Sequence, residues 1–262
     1  MMNSSLPLVI DCHVHPFLGA ESNTSWFPGT DTPEQFASEM RRAGIDQWCG
    51  APVRRTPEPV VGDLLGINQE MLALCERFGD AYIPAATVHP AFPEESCAAL
   101  VTLHAQGVRW IGELVAYISG YKTYDSPAMR QILDLAQDLG MVVNIHPFDL
   151  AEIDRLCADF PRLPIVVAHP TSSKAGIVAR FELMARHANA YLDLSGSGVF
   201  RWGMLRAGID QVGADRFLFG TDFPICNPAL LLQGVLFEHL SDTELEAVLG
   251  GNFCRLVGEE AE

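Results

Sequence analysis

Eight short apolar runs, each followed by a segment with a helical pattern, constrain the fold of this chain more than any other feature. The length of these runs predicts strands, which lie near residues 8–13, 46–52, 81–88, 108–113, 141–146, 164–169, 190–194 and 216–221. Repeated strand–helix units imply parallel strands with right-handed crossovers, and eight such units can close into a barrel. The sequence therefore predicts an α/β fold, a single-domain (β/α)8 TIM barrel over residues 1–262, with an open doubly wound sheet as the alternative.

Local signals place the helix ends between these strands. Three helices are predicted to begin where a capping side chain precedes a proline, at Thr32-Pro33, Ser126-Pro127 and Asn227-Pro228. Gly44 and Gly140 fall where helices should end, and a capping box at Ser241 predicts a further helix near the C-terminus. Long loops are expected after the first two strands, over residues 16–31 and 53–65, where they would border the barrel mouth.

Length and charge narrow the class of function. The 262 residues, of which 48% are hydrophobic, suit one domain with a large core. Lys and Arg number 17 against 33 Asp and Glu, which gives a formal net charge of -16. Such a charge repels phosphate backbones and anionic membranes, so a small-molecule substrate is the expected partner. Apolar residues on barrel helices often form contacts between copies, so a homo-oligomer stays open.

The cysteines and the N-terminus bear on the compartment. The seven cysteines are scattered and form no Cys-x-x-Cys pair, so the sequence indicates neither a disulfide framework nor a thiolate zinc site. Residues 1–5 lack the positive charge and apolar stretch of a signal peptide. No apolar segment reaches the roughly 18 residues that span a bilayer. The expected location is the cytoplasm.

Histidines and carboxylates follow several of the predicted strands. His13 and His15 close the first apolar run, and residues two apart on a strand share a face and can bind one ion. Further candidates stand at the ends of strands four, five, six and eight: Glu113, His146, His169 and Asp222. In a barrel the C-terminal strand ends converge on one pocket, and all six candidates fall there. Such ligands favour Zn²⁺, while Mn²⁺, Co²⁺, Ni²⁺ or Fe²⁺ are also compatible.

This set of residues resembles the amidohydrolase superfamily of metal-dependent TIM-barrel hydrolases, in particular its amidohydrolase-2 branch. The resemblance covers nearly the whole chain and rests on Asp11-Cys12-His13-Val14-His15, Gly112-Glu113, His146, His169, Gly220-Thr221-Asp222-Phe223-Pro224 and Gly250-Gly251-Asn252. His-x-His alone is a weak signal, but the ordered set is specific. Glu113, preceded by Ile-Gly, also resembles an element of the TatD-like nucleases, although a nucleic-acid substrate fits poorly with the net charge of -16.

The resemblance implies two arrangements of metal. In members with two ions, the strand-one histidines and the strand-eight aspartate bind one ion, the histidines of strands five and six bind the other, and a strand-four carboxylate bridges them. Glu113 occupies that bridging position and favours this arrangement. In members with one ion the strand-six histidine acts as acid or base, so His169 is either a ligand or a proton carrier. With either arrangement, bound metal would activate water and Asp222 would carry its proton to the leaving group.

Residues near the predicted mouth are candidate substrate contacts: Arg54, Arg55, His89 and Tyr117. The two arginines follow strand two, where a guanidinium can bind a substrate carboxylate. His89 ends strand three and is followed by a proline, as are His15, His146 and His169.

The sequence favours a metal-dependent hydrolase that cleaves a small carbonyl compound, either a lactone, an amide or an ester. One alternative is a metal-dependent non-oxidative decarboxylase, an activity that the amidohydrolase-2 resemblance also implies. Another is a TatD-like phosphoesterase or nuclease. A non-enzymatic barrel that binds a metabolite fits less well, because a structural metal needs neither an open pocket nor a general base.

Overall fold

Parallel strands form at all eight predicted runs. In the computed structural model, which describes residues 6–258, they are β1 (Ile10–Asp11), β2 (Gln47–Gly50), β3 (Tyr82–Ala86), β4 (Trp110–Leu114), β5 (Val142–Ile145), β6 (Ile165–Val167), β7 (Ala190–Asp193) and β8 (Phe217–Leu218). Each strand pairs in parallel with the next along the chain, so the strand order of the sheet is the sequence order. This order confirms the predicted (β/α)8 TIM barrel and excludes the doubly wound alternative.

Backbone hydrogen bonds close the barrel between its first and last strands. Val14 and Phe223 pair as a parallel bridge beyond the regular ends of β1 and β8. The amide of His15 donates to the carbonyl of Phe223, and the amide of Asp222 donates to the carbonyl of His13, each at 2.8 Å. The closing seam therefore brings the histidines after β1 beside the aspartate after β8.

Helices alternate with the strands as the sequence predicts. They are α1 (Pro33–Ala43), α2 (Val61–Phe78), α3 (Pro93–Ala105), α4 (Ala116–Ser119), α5 (Pro127–Asp138), α6 (Leu150–Asp159), α7 (Lys174–Arg186), α8 (Met204–Val212), α9 (Pro228–Leu236), α10 (Asp242–Glu246) and α11 (Asn252–Val257). The side chains of Thr32, Ser126 and Asn227 accept hydrogen bonds from backbone amides at the starts of α1, α5 and α9, which confirms the three predicted N-caps. Ser241 and Glu244 form the predicted capping box of α10.

Some element boundaries differ from the sequence prediction. The loop expected over residues 53–65 is shorter, because α2 already begins at Val61. The helix predicted from the capping box at Ser241 ends at Glu246 as α10, and a π-helical turn over Ala247–Gly251 joins it to α11. A side chain at Gly250 would place its Cβ 2.6 Å from the carbonyl oxygen of Leu8. Close packing of this turn against the chain before β1 therefore accompanies the interruption.

The barrel interior is filled by one buried residue from every strand: Ile10, Cys49, Ala85, Trp110, Val142, Val166, Tyr191 and Leu218. Phe253 of α11 joins this cluster, and its ring centroid lies 5.1 Å from that of Trp110. A larger apolar cluster packs the helices against the outer face of the strands. Apolar packing thus fills the N-terminal side of the barrel, and polar side chains collect at the opposite mouth.

The cysteines, the N-terminal residues and the helices bear on the compartment of the protein. Residues 6–258 contain all seven cysteines, and no disulfide forms among them. Residues 1–5, on which the expectation about a signal peptide rests, lie outside the described residues, as do residues 259–262. Among the described helices, none combines the length and apolar character needed to cross a membrane.

Candidate metal centre

The strand ends bring the predicted ligands together at the C-terminal mouth. The residues that meet there are His13, His15, Glu113, His146, His169 and Asp222. Those from β1, β4 and β8 are buried, with at most 8% of their surface exposed. The side chains of His146 and His169 keep 28% and 15% of their surface exposed. The cluster is therefore open to solvent mainly on the side of β5 and β6.

Glu113 divides its two carboxylate oxygens between two pairs of histidines. Oε2 lies 3.3 Å from Nε2 of His13 and 3.5 Å from Nε2 of His15. Oε1 lies 2.8 Å from Nδ1 of His146 and 3.4 Å from Nε2 of His169. One carboxylate thus contacts imidazoles that follow β1, β5 and β6, so it can serve two ligand sets at once.

Asp222 adds a second carboxylate to the histidine pair that follows β1. Its Oδ1 lies 3.1 Å from Nε2 of His15 and 3.8 Å from Nε2 of His13. In this set of three residues, one ligand atom from each lies within 4.8 Å of the others, which is close enough to share an ion. His13, Glu113 and His169 form an overlapping set by the same distance. The geometry therefore allows one ion or two neighbouring ions.

Two of these residues have a left-handed backbone conformation. The φ angle is 65° at both His169 and Asp222. Residues other than glycine seldom adopt this conformation, and those that do are often held in place at functional sites. The amide of Asp222 is bound by the carbonyl of His13 at 2.8 Å, and the amide of His169 by the carboxylate of Asp193 at 3.1 Å. These bonds hold both residues where the chain turns sharply after its strand.

An unpaired nitrogen inside the cluster indicates that a cation fits there. Nε2 of His13 is buried and has no hydrogen-bond partner among residues 6–258. Nδ1 of the same ring lies 2.9 Å from the carboxylate of Asp193, so the neutral ring carries its proton on Nδ1 and turns the Nε2 lone pair toward Glu113 and Asp222. A lone pair that faces carboxylate oxygens is repelled unless a positive charge lies between them. A divalent ion satisfies all of these groups together, so the residues present fit a metal.

Without a metal ion, protons balance the charges of the cluster. Burial favours neutral His13, but Glu113 and Asp193 outweigh that effect and raise its pKa well above the usual value. Burial also opposes charge on His15, yet its hydrogen bonds to the carboxylates of Asp222 and Glu113 raise its pKa to about 9. The same histidines overcome burial of Glu113 and hold its pKa well below the usual value. A metal ion must therefore displace protons when it binds.

Metal-free protein is expected to lose stability as the pH rises from about 6.5 to about 9. The pKa of His15 is 6.5 as an ordinary side chain and about 9 in the folded protein. A raised pKa stabilises the folded state fully below pH 6.5, and this contribution, about 3 kcal/mol, is lost as the pH rises through 9. Urea unfolding of chelator-treated protein across this range measures the loss. His15→Gln should show a smaller decline, and an equal decline in both proteins would contradict the prediction.

Three polar residues beneath the centre were missed by sequence reasoning: Asn144, Asp193 and Ser195. The carboxylate of Asp193 is fully buried and accepts from Nδ2 of Asn144 at 2.7 Å. The hydroxyl of Ser195 lies 2.9 Å from Nδ1 of His169 and also bonds to Asp193. Asp193 is the last residue of β7 and lies one residue before the end of the predicted strand 190–194, so the strand-end rule that selected the six candidates points to it as well.

Two of the candidate substrate contacts use their polar groups to hold loops. Arg54 forms an ion pair with the buried carboxylate of Glu70, with Nη2 2.5 Å from Oε2. Nδ1 of His89 accepts from the amide of Ala91 at 3.0 Å, and Nε2 is bound to the carbonyl of Ser119 at 2.8 Å. No ring nitrogen of His89 is therefore left for a substrate, and the main partner of Arg54 is a carboxylate of this chain.

The other two candidates lie on the surface near the mouth. Arg55 is exposed. Tyr117 is 52% exposed, and its ring centroid lies 5.5 Å from that of His146 and 5.6 Å from that of Phe148. Phe148 is itself 51% exposed. Tyr117 and Phe148 thus form an exposed aromatic edge next to one of the candidate ligands.

Gly112→Ala is expected to lower the free energy of unfolding by about 3 kcal/mol and to displace Glu113. Gly112 has a φ of 98°, and a Cβ there would lie 2.4 Å from the carbonyl oxygen of Asn144. Gly107→Ala is a matched control, because Gly107 has a φ of 97° and its Cβ would meet no atom within 4 Å. The control should cost only about 1–2 kcal/mol of backbone strain. Equal losses in the two variants, measured by urea unfolding, would show that the close approach to Asn144 is unimportant.

The fold and the cluster together define a barrel with a candidate metal centre at its C-terminal mouth. The chain belongs to the amidohydrolase family, whose family model (Amidohydro_2, described as Amidohydrolase) matches residues 10–258. No curated protein matches the sequence.

Solved structures with the same fold include two decarboxylases and one hydrolase. The 5-carboxyvanillate decarboxylase of Sphingomonas paucimobilis has a TM-score of 0.74 and 17% identity, with 98% of this chain and 100% of that chain covered. The 5-carboxyvanillate decarboxylase of Novosphingobium aromaticivorans, complexed with manganese, has a TM-score of 0.67 and 15% identity, with 85% and 79% covered. A protein of Acinetobacter baumannii assigned as a 2-pyrone-4,6-dicarboxylic acid hydrolase has a TM-score of 0.66 and 15% identity, with 95% and 99% covered. At these identities the likeness is one of fold.

Proposed function

We propose that this protein is a metal-dependent hydrolase that cleaves a small carbonyl compound, either a lactone, an amide or an ester. The observation that carries the proposal is the division of Glu113 between two histidine pairs. One oxygen lies 3.3 Å from His13 and the other lies 2.8 Å from His146. A carboxylate shared in this way suits two adjacent ions, an arrangement that supports hydrolysis.

The chain offers one ligand set to each ion. His13, His15 and Asp222 would hold the first ion, His146 and His169 the second, and Glu113 would contact both. Bound metal would supply Lewis acidity, which polarises a carbonyl and lowers the pKa of water. Zn²⁺ is our first choice for nitrogen and oxygen ligands, with Mn²⁺ next because manganese is present in one of the similar structures.

Asp222 is suited to carry the proton. Its Oδ1 faces His15, whereas its Oδ2 lies 3.9 Å from the thiol of Cys226. The side chain keeps 12% of its surface exposed, so it can reach a substrate at the mouth. A carboxylate in this position can accept a proton from the attacking water and return it to the leaving group.

A metal-dependent decarboxylase of aromatic acids is the second candidate. Tyr117 and Phe148 form an aromatic edge beside His146 that could stack on a planar ring. The two solved decarboxylases share the fold of this chain. In this case the His13, His15 and Asp222 set would hold one ion, and His169 would move a proton.

Two further proposals rest on the composition of the chain. They are a cytoplasmic location and the exclusion of nucleic acid as a substrate.

Metal content and product analysis together test these proposals. Chelator-treated protein would be reloaded with Zn²⁺ or Mn²⁺ and assayed against a panel of lactones, amides and esters and a panel of aromatic acids. The hydrolase proposal expects about two ions per chain and hydrolysis that stops on chelation. One ion per chain with release of CO₂ would favour the decarboxylase. Metal binding without turnover on either panel would favour the non-enzymatic barrel.

A further inference from the structure

We propose that Asp193 and Ser195 form a positioning unit that fixes the ring tautomers of His13 and His169 and directs Nε2 of both rings toward the metal centre. The inference rests on the proposed function in requiring that the centre binds two ions, with His13 in one ligand set and His169 in the other.

Asp193 accepts hydrogen bonds on both of its oxygens. Oδ2 lies 2.9 Å from Nδ1 of His13 and 2.7 Å from Nδ2 of Asn144. Oδ1 accepts from the backbone amides of His169 and Ser195, each at 3.1 Å, and from the Ser195 hydroxyl. An ionised carboxylate can only accept, so every one of these partners must donate. His13 therefore carries a proton on Nδ1, and its Nε2 lone pair is left for a metal ion.

Ser195 extends the same constraint to His169. A serine hydroxyl has one proton, and Ser195 donates it to the carboxylate of Asp193. Its oxygen must then accept from Nδ1 of His169, which lies 2.9 Å away. His169 is thereby held with its proton on Nδ1 and with Nε2 3.4 Å from Oε1 of Glu113. The same hydroxyl lies 3.1 Å from Nδ1 of His13, so one serine joins the two histidines.

Two glycines leave room for this arrangement. A Cβ at Gly196 would lie 2.5 Å from Nδ1 of His169 and would displace the ring from Ser195. A Cβ at Gly220 would lie 3.0 Å from Cβ of His13 and 3.3 Å from Cβ of Ser195. The chain on either side of the network is therefore shaped around these two rings.

The unit holds one histidine of each proposed ligand set. His13 belongs to the set that includes His15, and His169 belongs to the set that includes His146. The other histidine of each set lacks this support. Nδ1 of His15 is buried and has no hydrogen-bond partner in the part of the chain that the structure describes, and Nδ1 of His146 faces Glu113 directly. Each ligand set thus combines one histidine whose Nδ1 is held by Asp193 or Ser195 with one histidine whose Nδ1 is not held in this way. Removal of the outer partner of a ligating histidine typically weakens metal binding 10- to 100-fold.

Ser195→Ala is the sharpest test, because it removes the acceptor of His169 and leaves the bond between His13 and Asp193 in place. Zinc titration against a competing chelator should show a roughly 10- to 100-fold lower affinity for the ion held by His146 and His169. The affinity for the ion held by His13, His15 and Asp222 should be unchanged. In nitrogen-15 NMR spectra of zinc-loaded protein, the Nδ1–H signal of His169 should be lost to exchange while that of His13 remains. Ser197→Ala, in the same loop at an exposed position, is the matched control and should change neither readout.

Asp193→Asn extends the test to His13. In the orientation that keeps the bonds to the His169 and Ser195 amides, the new NH₂ group faces Nδ1 of His13 and forces its proton onto Nε2. The affinity for the ion held by His13, His15 and Asp222 should then fall by about 100-fold. Asp134→Asn, at an exposed position of α5, is the control and should bind zinc as the wild-type protein does. Unchanged affinities and unchanged Nδ1–H signals in Ser195→Ala would overturn the inference even if Asp193→Asn fails to fold. Wild-type protein that binds metal but hydrolyses nothing would overturn only the proposed hydrolase.

Discussion

Glu113→Gln is expected to reduce the metal content from about two ions per chain to one or fewer and to remove most turnover. The amide nitrogen of glutamine has no lone pair for a metal, so one of the two histidine pairs loses its shared oxygen whichever way the side chain turns. The centre also loses one buried negative charge. Removing one partner of a buried ionic pair costs about 3–5 kcal/mol, which corresponds to a roughly 10²- to 10⁴-fold loss of affinity.

The measurement is metal content by plasma mass spectrometry after reconstitution, together with turnover on the best substrate of the panel. Glu94→Gln, in the exposed first turn of α3, is the matched control and should retain metal and activity. Circular dichroism of both variants checks that the barrel is intact. A Glu113→Gln protein that keeps two ions at wild-type affinity would show that Glu113 is not shared between them, and the two-ion proposal would fail.

The barrel and the gathering of candidate ligands could be predicted because they depend on local patterns. Apolar runs of strand length, caps such as Thr32 before Pro33, and the side chain that follows each run are all read from neighbouring residues. In a closed parallel barrel the strand ends meet at one mouth, so residues as distant as His13 and Asp222 become neighbours. The order of the strands then follows from the order of the sequence.

The partners of polar side chains could not be predicted in this way. Arg54 pairs with Glu70, and His89 binds the carbonyl of Ser119, because loops and helices that are distant in sequence fold over them. A strand-end position shows that a residue lies near the mouth, but it does not show which atoms are already engaged. Asp193 is the opposite case: it lies at a strand end and contacts a candidate ligand, yet no sequence motif marks it.

The backbone of the ligand residues was also beyond sequence reasoning. Alternation of side chains places His13 and His15 on one face only if the strand continues through them. In the structure β1 ends at Asp11, and the two histidines are placed by pairing with the chain after β8. Likewise, nothing local predicts a φ of 65° at His169, where a carboxylate from the next strand binds the amide. These conformations arise from contacts between strand ends, which exist only in the closed barrel.

Asp222→Asn is expected to lower turnover roughly 10²- to 10⁴-fold, the usual contribution of a general base, while the fold is kept. Asparagine tolerates the left-handed conformation at this position, and the backbone bonds to His13, Ile225 and Cys226 do not involve the side chain. The amide oxygen can still approach His15, but the side chain can no longer accept and return a proton. We therefore expect kcat to fall far more than KM changes. A variant with near-wild-type kcat would remove Asp222 from the mechanism, and His169 would then be the next candidate for the proton carrier.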